Sequence, residues 1–283
     1  MKETGTLIRA AVPQDTGRVL RLCRLLNPKD YVLEAWPLWV KMTGAINLVA
    51  VEGDRIIGCW HAEPVMPLEA WSQGTRVLSE RQGRGIGTAL LRFLEEELRR
   101  RGIRVIRGSI APDNLASLAL VGKFGWQVVA RVCRREAEGR SSLSTRLRHA
   151  SLKEARSLMR RWPTLASLPH LAHFRRAYFS MTEAHLAKLV ESRSILVSGD
   201  ARGYVILEPG SGMEGNLLWA VALGGERAGI GQILPGLAAQ TGDGGGTVLI
   251  DGPDNPSVQS QLDELGFRPP ENNGRYVIVE RRL

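Results

Sequence analysis

Apolar and polar positions follow two periods along the first half of the chain, and the places where the period changes predict its elements. "LIRA" from Leu7 reads as a short strand. "PQDTGRVLRLCRLL" from Pro13, with apolar residues at three- and four-residue steps behind a proline and an acid, reads as a helix. A second helical stretch around "YVLEAW" from Tyr31 is expected to stop at Pro37, which has no N–H to donate. "NLVAVEGDRIIGCWHA" from Asn47 gives strand, Gly-Asp turn, strand, the pattern of a hairpin. A further strand runs toward Val77, and a helix follows to about Arg101. Then come strand "IRVIRGSI" from Ile103, a helix from Asn114 to Phe124 and strand "WQVVARV" from Trp126. Antiparallel strands precede a strand-helix-strand crossover, an α/β (α+β) order with a mixed, mostly antiparallel sheet.

The chain then repeats itself. "DNLASLALVGKFGW" from Asp113 reappears as "DNPSVQSQLDELGF" from Asp254, with twelve residues from Asn to the closing aromatic in both copies. "RGIG" at Arg84 is answered by "AGIG" at Ala228, and "VEGDRIIG" from Val51 by the looser "VSGDARGY" from Val197. "IRAAVPQD" from Ile8 is weakly echoed by "LRHASLKE" from Leu147. Four matches in the same order predict a tandem duplication, joined near residues 136–148. The expected domains are 1–143 and 144–283.

Composition narrows the class of protein. With 283 residues, 43% apolar and 24% charged, the chain is long enough for two ordinary cores. Its start lacks the order of a secretory signal, and no apolar run approaches the ~18–20 residues that span a bilayer. A cytoplasmic protein with no membrane partner is therefore expected. Cys23, Cys59 and Cys133 never form C-x-x-C and read as reduced structural thiols. His170 and His173 in "HLAH" have helical spacing but no acidic or Cys partner at a ligand spacing, so a solvated helix face and no metal are expected. The net charge of +9 comes almost wholly from arginine, including clusters at Arg131 to Arg135, Arg146 to Arg148 and Arg160-Arg161. A polyanion, a small anionic cofactor or plain solvated surface would each account for them, and charge alone does not choose.

The stretch "QGRGIGTALL" from Gln82 carries more chemistry. A helix N-terminus leaves unpaired N–H groups and partial positive charge, and glycines in front of it let the backbone close on a phosphate. A tight strand-to-helix turn also calls for glycine. A Rossmann domain is disfavoured, because several strands and a hairpin come first and the third glycine of G-x-G-x-x-G is missing. Taken with "PDNLAS" from Pro112 and the closing Phe124-Gly125-Trp126, the stretch resembles the GNAT superfamily of acyl-CoA-dependent N-acetyltransferases. Gln82, Gly85 and Gly87 meet its R/Q-x-x-G-x-G/A loop.

That resemblance implies a fold of two GNAT-like domains, each with a splayed central strand pair, and acetyl-CoA as co-substrate for an amine-bearing acceptor. It implies that pantetheine lies between the strands at Arg76-Val77-Leu78 and Ile103 to Ile110, bonded to exposed backbone near Val77, with a backbone N–H near Leu78 for the oxyanion. Gln82, Gly83, Arg84, Gly85, Ile86, Gly87 and Thr88 would hold the pyrophosphate, and Asn114 and Ser117 would line the pantetheine arm. Many relatives carry a proton-donating Tyr where this chain has Val121, so Ser117 is the candidate relay, and a thiolate of pKa near ~8.5 needs protonation little. Candidate bases are Glu63 and His61, two apart on one side of a strand, and Glu69 and Glu80 at the ends of the next. Trp36, Trp39 and Trp162 either border an acceptor pocket or pack the core.

In the second copy, "GERAGIGQILP" from Gly225 keeps Gly229 and Gly231 but sets Glu226 at the Gln/Arg position and Pro235 in the helix, tolerable only in its first turn. Lost acyl-CoA binding is expected there, and "GDGGG" from Gly242 reads as a loop. An N-acetyltransferase is the leading reading. An acyl-CoA-binding pseudoenzyme is the second, and nucleic-acid binding through the arginine clusters the third.

Overall fold

The computed structural model describes residues 5–138, 147–161, 164–166, 171–174, 177–208, 217–238, 246–271 and 274–283. The chain forms two compact units, one made of residues up to Val128 together with Val279–Leu283, the other of Val129–Ile278. These units are not the sequence halves. The first unit takes Val279–Leu283 from the C-terminal half of the chain and the second takes the stretch of β6 from Val129 from the N-terminal half, and the expected join at 136–148 lies partly outside the described residues.

The first unit opens with β1 (Leu7–Ala10), a 3-10 turn over Pro13–Asp15, α1 (Thr16–Leu26) and α2 (Val32–Trp39). Pro37 does not stop α2, which runs on to Trp39 and ends there. A proline six residues into a short helix removes one bond and leaves little helix to disrupt. Next come β2 (Ile46–Glu52), β3 (Arg55–Met66), β4 (Glu69–Val77), α3 (Ile86–Arg100), β5 (Val105–Ile110) and α4 (Leu115–Lys123). The strands β1 to β4 are antiparallel neighbours, β4 and β5 are parallel, and the C-terminal residues lie beside β5. There Leu283 N–H donates to Arg104 O and Glu280 accepts from Arg107. Leu90, Leu91 and Leu94, spaced along one face of α3, are fully buried with Leu48, Ile57 and Ile106 of the sheet. Each such side chain stabilises the unit by about 2 kcal/mol.

The second unit contains most of β6 (Gln127–Glu138), then β7 (Arg148–His149), α5 (Leu152–Arg161), β8 (Thr164–Ala166), β9 (Leu171–Phe174) and β10 (Ala177–Ser180). It continues through α6 (Glu183–Glu191), β11 (Ile195–Val197), β12 (Gly203–Leu207), β13 (Leu217–Gly225), α7 (Arg227–Ala238), β14 (Thr247–Pro253) and α8 (Pro256–Glu264) to the start of β15 (Arg275–Arg282). Its sheet order is β6-β14-β13-β12-β11-β7, with β13 and β14 parallel. His173 stands in β9, so the expected helical His pair is not formed; His170, Trp162 and most of "GDGGG" lie outside the described residues. β9 and β10 pair as a two-stranded sheet, and that pairing overrides the helical spacing of the histidines.

The internal repeat has a local structural cause. Asn114 Oδ1 caps α4 by accepting from Ser117 N–H at 3.1 Å, and Asn255 Oδ1 caps α8 by accepting from Ser257 N–H at 2.9 Å. Each helix ends in a left-handed glycine, Gly125 at φ 75° and Gly266 at φ 94°. The aromatic after each glycine then donates back to the helix, Trp126 N–H to Val121 O and Phe267 N–H to Leu262 O. The constant Asn-to-aromatic spacing is the length of a helix with its two caps.

Candidate active site

β4 and β5 are paired only from Glu69↔Val105 to Ser72↔Gly108. Beyond Ser72 they separate, and two glycines shape the fork. Cys59 pairs with Arg76 but His61 with Gln73, so β4 carries one extra residue, a bulge at Gly74-Thr75 that bends the strand. Gly74 has φ 70°, and a Cβ there would stand 2.7 Å from the Trp39 ring. At the last rung, a Cβ on Gly108 would stand 2.9 Å from Ser72 O. Neither glycine was singled out by the sequence patterns, although a lone Gly inside a strand is the usual sign of a bulge or a close approach.

The oxyanion donor was expected to be a backbone N–H near Leu78; Leu78's own N–H donates to Ile57 O at 2.9 Å inside the sheet. Backbone groups alternate along a strand, so Val77 presents its N–H and C=O to the opposite edge, where Gln82 Nε2 reaches the Val77 carbonyl at 3.2 Å. The Arg76 side chain is bound to Asp30 through two bonds of 2.6 and 2.7 Å and lies over Tyr31.

Between β4 and α3 the loop is anchored by Arg81 on Glu52 and by Arg55 on Glu80. Glu80 is thus an exposed loop carboxylate. Gly83 and Gly85 are left-handed at φ 72° and 79°, with open space where a side chain would stand. Gly85 caps α3, whose first helical bond runs from Ala89 N–H to Gly85 O, so the N–H groups of Ile86, Gly87 and Thr88 have no helical partner. The first turn holds no acid, and Arg84 is exposed beside it. A Cβ on Gly87 would stand 3.1 Å from Leu120, so that glycine lets α3 and α4 approach. On α4, Asn114 is exposed with its oxygen engaged in the cap, Ser117 is half-buried, and Val121 is buried.

The candidate bases separate clearly. Glu69 and Glu280 both bind the buried Arg107, at 2.7 and 2.8 Å, so Glu69 is committed to an ion-pair network. Glu63 is 17% exposed, accepts from Gln73 Nε2 at 3.1 Å, and has Oε1 3.9 Å from His61 Nε2. His61 is fully buried beneath Trp39, ring on ring at 4.1 Å, and burial lowers its pKa against the opposing pull of Glu63. Gln73 is the first β4 residue past the last rung, so the Glu63–Gln73 pair stands at the fork itself. Trp36 and Trp39 are both core residues.

Residues 19–126 match the sequence model of the acetyltransferase (GNAT) family. Those residues are a GNAT domain. The family is one of acyl-transfer enzymes. No curated protein matches the chain. Among solved structures, a GCN5-related N-acetyltransferase from Sphaerobacter thermophilus is 14% identical with a TM-score of 0.62, over 98% of this chain and 95% of that one. Candidate acetyltransferases from Thermoplasma acidophilum (16% identical, TM-score 0.59, 98% and 100% covered) and Pyrococcus horikoshii (17%, 0.57, 100% and 91%) share the fold as well. The GNAT fold thus extends over the whole chain.

In the second unit the corresponding features are closed. β13 and β14 pair from Leu217↔Thr247 to Ala220↔Ile250, and the edge of β13 beyond them is taken by β8, at Ala166↔Leu223 and Thr164↔Gly224. Where eight residues separate β4 from α3, only Glu226 separates β13 from α7. Gly229 and Gly231 consequently lie inside the helix, and Gly229 packs so closely on Arg202 that a Cβ would stand 2.3 Å from its carbonyl carbon. Pro235 lies well beyond the first turn of α7, contrary to its expected place. Three arginines of the clusters are engaged: Arg134 binds Asp251 at 2.7 and 2.8 Å over the Trp219 ring, Arg135 is buried near Asp263, and Arg148 pairs with Glu154, whereas Arg131 is exposed and Arg146 lies outside the described residues.

Proposed function

We propose that the first unit transfers an acetyl group from acetyl-CoA to a primary amine by direct attack. The observation that carries this is the fork. A strand edge left unpaired after Ser72 leads directly into a glycine loop whose helix end has free N–H groups, positive charge and no acid. Pantetheine fits the edge at Val77, and the pyrophosphate fits the N–H groups from Gly83 to Thr88, with Arg84 and Gln82 beside them. Glu63 takes a proton from the acceptor amine, whose nitrogen then attacks the thioester carbon. Val77 N–H faces the oxyanion, and the C–S bond breaks to release a thiolate that needs little acid assistance. Burial of Val121 accords with a mechanism lacking a phenolic donor, and Ser117 is the nearest hydroxyl on that helix.

The second unit is read as a duplicated copy that no longer takes acyl-CoA. Support comes from β8 on the edge of β13 and from the missing loop, a more direct cause than the charge of Glu226. Thiol release from acetyl-CoA with a broad panel of amines tests the transferase reading. Amine-dependent release, lost in Glu63→Gln with unchanged acetyl-CoA affinity, is the expected result. Binding without turnover for every amine would leave an acyl-CoA-binding module instead.

A further inference from the structure

We propose that Asn47 is a positioning residue that fixes the tautomer of His61, so that the bare Nε2 faces Glu63 and receives the proton Glu63 removes from the amine. The inference rests on the transferase reading above. Asn47 and His61 are partners across the β2–β3 ladder. Asn47 Nδ2 donates to Trp39 O at 3.0 Å, which fixes the orientation of the amide and turns Oδ1 toward His61 Nδ1 at 2.8 Å. An amide oxygen only accepts, so Nδ1 carries the hydrogen. The second nitrogen, Nε2, is then a lone pair, fully buried and without a hydrogen-bond partner among the described residues.

A buried acceptor left bare is costly unless something arrives to use it. Here the nearest charged group is Glu63, whose Oε1 is 3.9 Å away, a gap too wide for a hydrogen bond. Two acceptors face each other across that gap, and a proton between them closes it. Gln73 holds the same carboxylate oxygen at the fork, so Glu63 touches both the proposed reaction space and the buried ring. The stacked Trp39, only 4° from parallel, holds the imidazole plane. Around His61, Asn47 from β2, Trp39 from α2 and Gln73 from β4 are uncharged, and Glu63 from its own strand supplies the one charge it feels.

The proton balance is simple. An N–H bond of the acceptor ammonium breaks, its electron pair stays on nitrogen for the attack, and an O–H bond forms at Glu63. The proton moves to Nε2, leaving an imidazolium between the Glu63 carboxylate and Asn47 Oδ1. After C–S cleavage the thiolate takes the second proton from the acylated nitrogen, and His61 returns its own to water.

Two measurements test this. In uniformly 15N-labelled protein, the imidazole shifts of His61 are expected to place the hydrogen on Nδ1; a hydrogen on Nε2 in an active enzyme overturns the inference while leaving the transferase reading intact. In steady-state acetylation, Asn47→Leu, checked by thermal unfolding to be folded, is expected to lower kcat about tenfold to a hundredfold with the KM for acetyl-CoA within about twofold. Asn47→Asp restores an acceptor and is expected to recover kcat with the acid limb of the pH profile moved upward. A folded Asn47→Leu with unchanged kcat and pH profile overturns the proposal. A wild-type chain that acetylates no amine overturns the relay through failure of the underlying reading, and the spectrum still decides the tautomer.

Discussion

Asp15, buried at the start of α1, accepts from Arg9 at 2.6 and 3.0 Å, from Arg18 at 2.6 Å and from Val12 N–H at 2.9 Å. The hydrogen-bonded Arg9 holds its carboxyl at about 2, below the ordinary 3.8. The folded state therefore gains stability that is complete above about pH 4 and lost as pH falls toward 2. Asp15→Asn is expected to cost about 1–2 kcal/mol at pH 7 in urea unfolding, discounted because both arginines are partly exposed, with the difference shrinking in acid. His61 has the opposite chemistry. Burial lowers it below 6.5, so the folded ring binds a proton less readily than the unfolded chain, and stability declines as pH falls below about 6.5. His61→Gln is expected to make that decline shallower in thermal unfolding, and an unaltered slope would contradict a neutral buried ring.

Elements were legible from the sequence wherever a local signal sets them. The Asn caps and left-handed glycines fix α4 and α8 from within, and the Gly-Asp turn fixes the β2–β3 hairpin. Less was visible where a distant neighbour decides. The bulge at Gly74 answers to Trp39, thirty-odd residues away, and Gly229 of α7 answers to Arg202. Alternation along β4 is set by the bond from Leu78 to Ile57, which leaves the backbone groups of Val77 on the opposite edge. At the candidate site, the glycine loop was read in sequence, whereas the role of Asn47 required the amide orientation that Trp39 imposes. Gly74→Ala is expected to destabilise the first unit by about 2 kcal/mol or more, because the residue is left-handed and its Cβ would meet the indole. A variant as stable as the wild type would mean that the bulge is not locked by Trp39.

At the scale of the whole molecule, the compact units do not coincide with the two copies of the repeat, because the first unit includes Val279–Leu283 and the second begins at Val129. Glu280, near the C-terminus, gives Arg107 one of its two carboxylates beside β5. Removing Val279–Leu283 is therefore expected to weaken acetyl-CoA binding by the remaining chain, whereas a strand belonging to the C-terminal half alone would leave that binding unchanged. The proposed function requires one open fork, in the first unit, and none in the second. Calorimetric titration of the intact chain with acetyl-CoA tests it most directly. One site per chain, abolished by Gly85→Trp and untouched by Gly231→Ala, is the predicted result. Two sites per chain, or a site that survives Gly85→Trp, would contradict it.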